Sequence, residues 1–183
     1  MILPISAYGN PVLREETEDI DENYPNLTKI IGDMFDTMKN AEGVGLAAPQ
    51  VGLPIRVFVI DMSALADEKP EYQDYRKIFI NPEIIEFSGN DISMEEGCLS
   101  IPGIHEKVVR KEKILINYLD EHFKECEETF SGYPARVIQH EYDHLEGNLF
   151  VDKISGIRKQ IIKGKLSNIS SNKITCKYKI KTK

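Results

Sequence analysis

The chain has 183 residues, 41% of them hydrophobic and 29% charged, with a net charge of −7. That is the length of one domain at about 100–200 residues per domain, with an ordinary globular composition. It excludes a disordered tail, a collagen-like repeat and a disulfide-dense miniprotein, and no apolar run approaches the ~20 residues of a membrane-spanning helix.

The elements follow in chain order. The start, Met1-Ile2-Leu3-Pro4-Ile5, lacks the basic region of a signal peptide. Residues 25–40 predict an amphipathic helix. Leu27, Ile30, Ile31, Met34, Phe35 and Met38 fall on one face, with Pro25 in the first turn and an end between Asn40 and Gly43. Gly43 to Gly52 has no periodicity. Ile55 to Met62 predicts a strand, and Ala64 to Arg76 a polar loop inserted at the surface. Lys77–Phe87, His105–Leu119 and Phe123–Phe130 predict further strands. Residues 133–146 return to helical period, with Pro134 near the start and Gly147 at the end. Ile154 to Leu166 predicts a short helix, and Lys173 to Ile180 a short edge strand. This order has no βαβ rhythm, so the expected fold is α+β: antiparallel sheets packed around a central helix, preceded by an N-terminal amphipathic helix.

Charge is uneven. Residues 151–183 hold nine Lys and one Arg against the single acid Asp152, a local +9 that leaves −16 on residues 1–150. The acidic body argues against a general nucleic-acid binder. The basic end fits either a solvated tail or contact with a polyanion such as ribosomal RNA. One domain over 1–183 is expected, with 151–183 as its basic C-terminal extension. Three cysteines, Cys98, Cys126 and Cys176, are an odd number. Without an export signal they point to a reducing cytoplasm, where thiols are free for metals or chemistry.

His140-Glu141-Tyr142-Asp143-His144 is an H-E-x-x-H sequence on the later predicted helix. One turn apart, the two histidines lie about 40° apart around the axis. Both rings can therefore reach one metal ion, with Glu141 beside it as a base rather than a ligand. No His follows His144, so a third ligand must come from upstream: Cys98, His105, His122 or Cys126. Cys98 is favoured, because Gly97 beside it permits close approach. Cys126 lies among Glu125, Glu127 and Glu128, which disfavour a thiolate.

Three segments together carry a resemblance: Gly43-Val44-Gly45-Leu46-Ala47-Ala48-Pro49-Gln50, then Glu96-Gly97-Cys98-Leu99-Ser100, then Gln139-His140-Glu141-Tyr142-Asp143-His144. In order and spacing the chain resembles the peptide deformylases, from Ile2 to about Asp152. The resemblance implies a metal-dependent hydrolase of N-terminal methionine processing in protein biosynthesis. It would remove the N-formyl group from the formylmethionine of nascent polypeptides and release formate. By similarity Cys98, His140 and His144 are the metal ligands. They hold a hydroxide that attacks the formyl carbon, with Glu141 as general base and then acid. The Gln50 side chain and the Leu99 backbone N–H would stabilise the oxyanion. The Gly45 backbone would pair with substrate in strand fashion, and Val44 and Val137, with Tyr133 a weaker candidate, would line the slot for the methionine side chain.

The resemblance also implies ferrous iron in the cell, although zinc, nickel or cobalt suits the same ligands. It implies oxygen sensitivity at Cys98 and ribosome contact through the basic C-terminal segment. Some family members end in a helix and others in a strand, and this chain predicts both. Two other readings share the residues: a metallopeptidase or amidase of different substrate, and a non-catalytic, metal-stabilised ribosomal module. The first would need the usual downstream ligand, and the second has no use for Glu141 or Gln50.

Overall fold

A computed structural model describes residues 1–183. Its five-stranded antiparallel sheet has the order β2-β3-β4-β5-β6, with β2 at Gly45–Ala47, β3 at Val57–Asp61, β4 at Arg76–Cys98, β5 at Ile101–Leu119 and β6 at Glu125–Ser131. Three helices accompany it: α1 at Leu27–Asn40, α2 at Gly132–Leu145 and α3 at Gly156–Ser170. The ends of the chain meet in a small sheet of β1 (Ile5–Ser6) and β7 (Ile180–Lys181). That pair is parallel, so the expectation of antiparallel sheets holds for the large sheet only. No helix is long and apolar enough to cross a membrane.

Strand β3 explains the layering. Its residues Val57 to Ile60 are all fully buried. Alternate side chains of a strand point to opposite faces. Val57 and Val59 pack with Leu27, Ile31, Met34, Phe35 and Met38 of α1. Phe58 and Ile60 pack with Ala135, Val137, Ile138 and Leu145 of α2. The sheet is thus sandwiched between two helices. A third apolar layer joins Ile101, Ile104 and Val108 of β5 to Phe150, Ile154 and the α3 residues Ile162 and Ile169.

Several boundaries differ from expectation. Pro25 lies outside α1, because Asn26 occupies the cap in a left-handed conformation. Ile30 is only half-buried on the apolar face, which also carries the buried Asp33 and Thr37. The segment 64–76 contains two short 3-10 turns, and its Tyr72 is buried. Of the expected edge strand Lys173–Ile180, only Ile180 pairs, together with Lys181 beyond it. Strand β4 runs eleven residues past Phe87, and β5 starts four residues before His105. Irregularities in register at Ser88/Asp91 and Glu96/Cys98 absorb residues that read as turn-formers. The real turn is the two-residue tip Leu99-Ser100, with Cys98 paired to Ile101. Gly147 ends α2 as expected, at φ +68°, and a Cβ there would lie 2.8 Å from the Arg14 carbonyl oxygen.

Phe79 is fully buried and stacks on Phe58 at 4.5 Å between centroids, with Tyr118 at 4.4 Å on another side. Replacing Phe79 with Ala is expected to cost about 3–5 kcal/mol through lost burial and a cavity. Urea unfolding followed by far-UV circular dichroism checks this, and a loss below about 1 kcal/mol would contradict the packing described.

Candidate metal centre

Helix α2 supplies two imidazoles and the β4–β5 tip supplies a thiol. Donor atoms of Cys98, His140 and His144 all lie within 4.8 Å of one another. The Cys98 sulfur is 3.3 Å from His144 Nε2. The two rings are 5.2 Å apart between centroids, inclined at 72°. His140 Nδ1 is held at 2.8 Å by Glu96 Oε1, which leaves Nε2 as its free nitrogen. His144 Nδ1 is buried without a partner, and burial lowers the basicity of that ring far below the ordinary imidazole. A soft sulfur beside two imidazole nitrogens is a donor set suited to a divalent transition metal. The other proposed third ligands stand elsewhere. His105 lines the cleft outside this cluster, His122 is exposed in the β5–β6 turn, and Cys126 lies on β6 beside the Lys124 carbonyl.

Behind the cluster is a buried ionic network. Glu96 accepts from Arg110 Nε at 2.7 Å and Nη2 at 2.9 Å, and from Arg136 Nη1 at 2.8 Å. Arg110 Nη1 also donates to Asp143 on α2 at 2.8 Å. Arg136 Nη2 donates to the Ile92 carbonyl at 2.6 Å, and Nη1 to that of Val108 at 2.8 Å. Burial alone would raise the Glu96 carboxyl. His140 and Arg110 outweigh it and hold Glu96 ionised, well below the usual carboxylate range. His140 is pulled down by burial but up more strongly by Cys98 and Glu96.

Glu141 is buried, and its Oε2 has no hydrogen-bond partner. Burial pushes its carboxyl up to about 7, with His140 opposing. Its side chain lies against Gly45, where a Cβ would come within 2.5 Å of Oε1. Gly45 is therefore needed where it faces Glu141. Strand β2, which contains it, is an edge strand. Gln50, also buried, divides its amide. Oε1 accepts from Ala47 N–H at 2.8 Å, a local cap, while Nε2 faces Ser100 Oγ at 3.1 Å and Cys98 Sγ at 3.5 Å. A cleft of roughly 640 Å³ joins Gly45, Gln50, Leu99, Glu141, Val44 and Val137 to the three donors. Tyr133 is on the same wall.

The sequence model of the polypeptide deformylase family matches residues 2–160. The chain belongs to that family. It is 55% identical to the peptide deformylase of Christiangramia forsetii over 188 aligned positions, covering 99% of this chain and 96% of the relative. It is 52% identical to that of Cytophaga hutchinsonii, with 99% and 97% covered. The crystal structure of a peptide deformylase from Legionella pneumophila superposes with a TM-score of 0.82 at 38% identity, over 94% of this chain and 98% of that one. The chain is thus a hydrolase that removes N-formyl groups from nascent peptides, in a family that depends on a metal.

Arg110 and Arg136 went unseen because an isolated arginine in a strand or helix carries no local sign of burial. Arg136 does stand one turn before His140, on the side that faces Glu96. Exchanging Glu96 for Gln leaves two buried guanidiniums short of a counter-charge. A loss of about 3–5 kcal/mol is expected, together with about 10–100-fold weaker metal binding through a less firmly held His140. Urea unfolding and competition against a chromophoric chelator measure the two effects.

Proposed function

We propose that Cys98, His140 and His144 hold a single divalent cation and that Glu141, Gln50 and Leu99 carry out deformylation around it. The convergence of one sulfur and two imidazoles beside a buried carboxylate, in one cleft, carries this reading. When bound, the cation supplies Lewis-acid polarisation of the formyl carbonyl and acidifies a water. Glu141 takes the proton of the attacking water and delivers it to the leaving amine. Its burial in the cleft beside the three donors, with Oε2 unpartnered, favours this role. Gln50 Nε2 and the Leu99 N–H donate to the oxygen that gains charge as the formyl carbon becomes tetrahedral. The outer edge of β2 at Gly45 pairs with the extended peptide. Val44 and Val137 receive the methionine side chain.

We further assign ferrous iron as the metal in the cell, with zinc, nickel or cobalt acquired during purification. A thiolate–imidazole set accepts all four. Oxidation of the Cys98 thiolate is then expected to cost activity in air. The enzyme works in the cytoplasm, where formylated chains emerge, and residues 1–183 act as one catalytic domain. In support, the basic stretch 151–183 is built into the rest through Ile162, Ile169 and the β1–β7 pair. We assign its outer surface to the ribosome. Ile157, Lys159, Ile161 and Lys163 of α3 are all exposed there.

Two experiments test these assignments. Glu141→Ala should lower formate release from a formyl-Met peptide by at least ~10²–10⁴-fold while anaerobically purified protein keeps one metal per chain. Comparable turnover of the variant and the parent, or of formyl and acetyl peptides, would overturn the mechanism. Reversing Lys159 and Lys163 to Glu should abolish co-sedimentation with ribosomes at low salt and leave peptide kinetics unchanged. Binding by the parent should weaken as salt rises. Unaltered co-sedimentation would remove the ribosomal assignment.

A further inference from the structure

Residues beyond 170 lie outside the stretch matched by the family's sequence model, yet they return to the cleft. After α3 the chain doubles back, and Thr175, Cys176, Lys177 and Tyr178 line the same cavity as Cys98, Gln50 and Glu141. Main-chain pairing anchors this strap at its end. Ile5 N–H donates to the Lys179 carbonyl and Ala7 N–H to that of Lys181, both at 2.8 Å. Across the mouth, Lys177 stands 3.6 Å from Glu42, an exposed pair that adds little strength.

The informative contact lies deeper. The Tyr178 hydroxyl donates to the Leu99 carbonyl at 2.8 Å. Burial is the main reason that its phenol is held above the ordinary range, so the group stays a donor. The neighbouring Ser100 carbonyl accepts from Tyr8 N–H, also at 2.8 Å. Each end of the chain therefore takes one carbonyl of the two-residue tip Leu99-Ser100. That tip terminates strands of 23 and 19 residues. Hairpin tips are where local opening concentrates, yet this one carries a sulfur donor and a backbone N–H that must hold their aim within a fraction of an ångström.

We propose that Tyr178 is a positioning residue. Through the Leu99 carbonyl it holds the Leu99 N–H in line with the oxygen that develops charge. The proposal rests on the oxyanion role given to Leu99 above. Residue 99 is fixed on one side by the Cys98–Ile101 pairing and on the other by the tyrosine hydroxyl. Its N–H is left with one direction. Without the hydroxyl the tip keeps its strand pairing and its Gln50 contact, but residue 99 gains freedom about its own backbone.

The test is Tyr178→Phe in the full, zinc-loaded chain, which keeps the ring and removes the donor. Its kcat on a formyl-Met tripeptide should fall about 10-fold with KM changed less than about 2-fold, the pattern of a contact that matters in the transition state. Amide hydrogen exchange at Tyr8, whose N–H is protected by the Ser100 carbonyl of the tip, followed by NMR, should accelerate about 5–10-fold, the effect of one lost hydrogen bond on the stability of the tip. Exchange at Val59 in the buried strand β3 and the zinc content should match the parent. Unchanged Tyr8 exchange, or a rise in KM alone, would overturn the proposal. Faster exchange everywhere would show a general loss of stability and also overturn it. Were the parent itself inactive on formyl peptides, the role given to Leu99 would fail, while the exchange measurement would still decide whether Tyr178 holds the tip.

Discussion

A single buried carboxylate sets the geometry of the site. Two arginines and His140 converge on Glu96, which sits on β4 two residues before Cys98. Arg110 comes from β5, and Arg136 and His140 come from α2. The ion network therefore fastens the hairpin to the helix at the place where sulfur and nitrogen must meet. Such a network is weak support for net stability, because desolvating its charges consumes much of what their attraction returns. Its value here is directional. A guanidinium fork and a carboxylate match in few orientations, so the helix cannot slide along the hairpin without stranding a buried charge. The same carboxylate occupies Nδ1 of His140 and thereby fixes which nitrogen faces the cleft.

The groups proposed to react come from elements that are distant along the chain. Residue spacing on α2 brings His140 and His144 together, and helical geometry alone nearly suffices for that pair. The sulfur needs more, since it lies at the end of a long, irregular hairpin. Gln50 comes from a short turn after β2 and ties that turn to the hairpin tip through Ser100. Glu141 is packed against Gly45 so closely that a methyl group there would displace it. Edge strand, tip and helix are each fixed to the other two by at least one such contact, which is why three short segments scattered over a hundred residues behave as one site.

The sequence made the periodic parts readable. Helix α1 has apolar spacing that largely matches its burial, β3 is a short apolar run that is buried throughout, and the histidine pair of α2 follows from helical pitch. The three short motifs were readable as a resemblance before any geometry was known. The outer half of the long hairpin was not. Gly89, Asn90, Gly97, Pro102 and Gly103 all carry turn chemistry, and local reading takes them as loop. In the structure the paired strands tolerate them through shifts in register, and the chain reverses at Leu99-Ser100, residues with weak turn preference. Pairing over more than a dozen positions on either side decides the matter, and no local window contains that information. The buried arginines are hidden for a related reason: their partners are remote in sequence.

The C-terminal segment shows how charge and fold can be written in the same residues. Its excess of lysine reads as a solvated tail, and its lysines do lie largely at the surface. The apolar positions between them do something else. Ile162 and Ile169 complete a core layer under β5, Ile180 pairs beside Ile5, and Tyr178 reaches the tip that bears Cys98. A basic composition records what the outer face meets, whereas the sparse apolar and aromatic residues record where the segment is attached. Because those attachments end on the turn that follows Cys98, a contact on the outer basic face and the order of the hairpin tip share one continuous piece of chain.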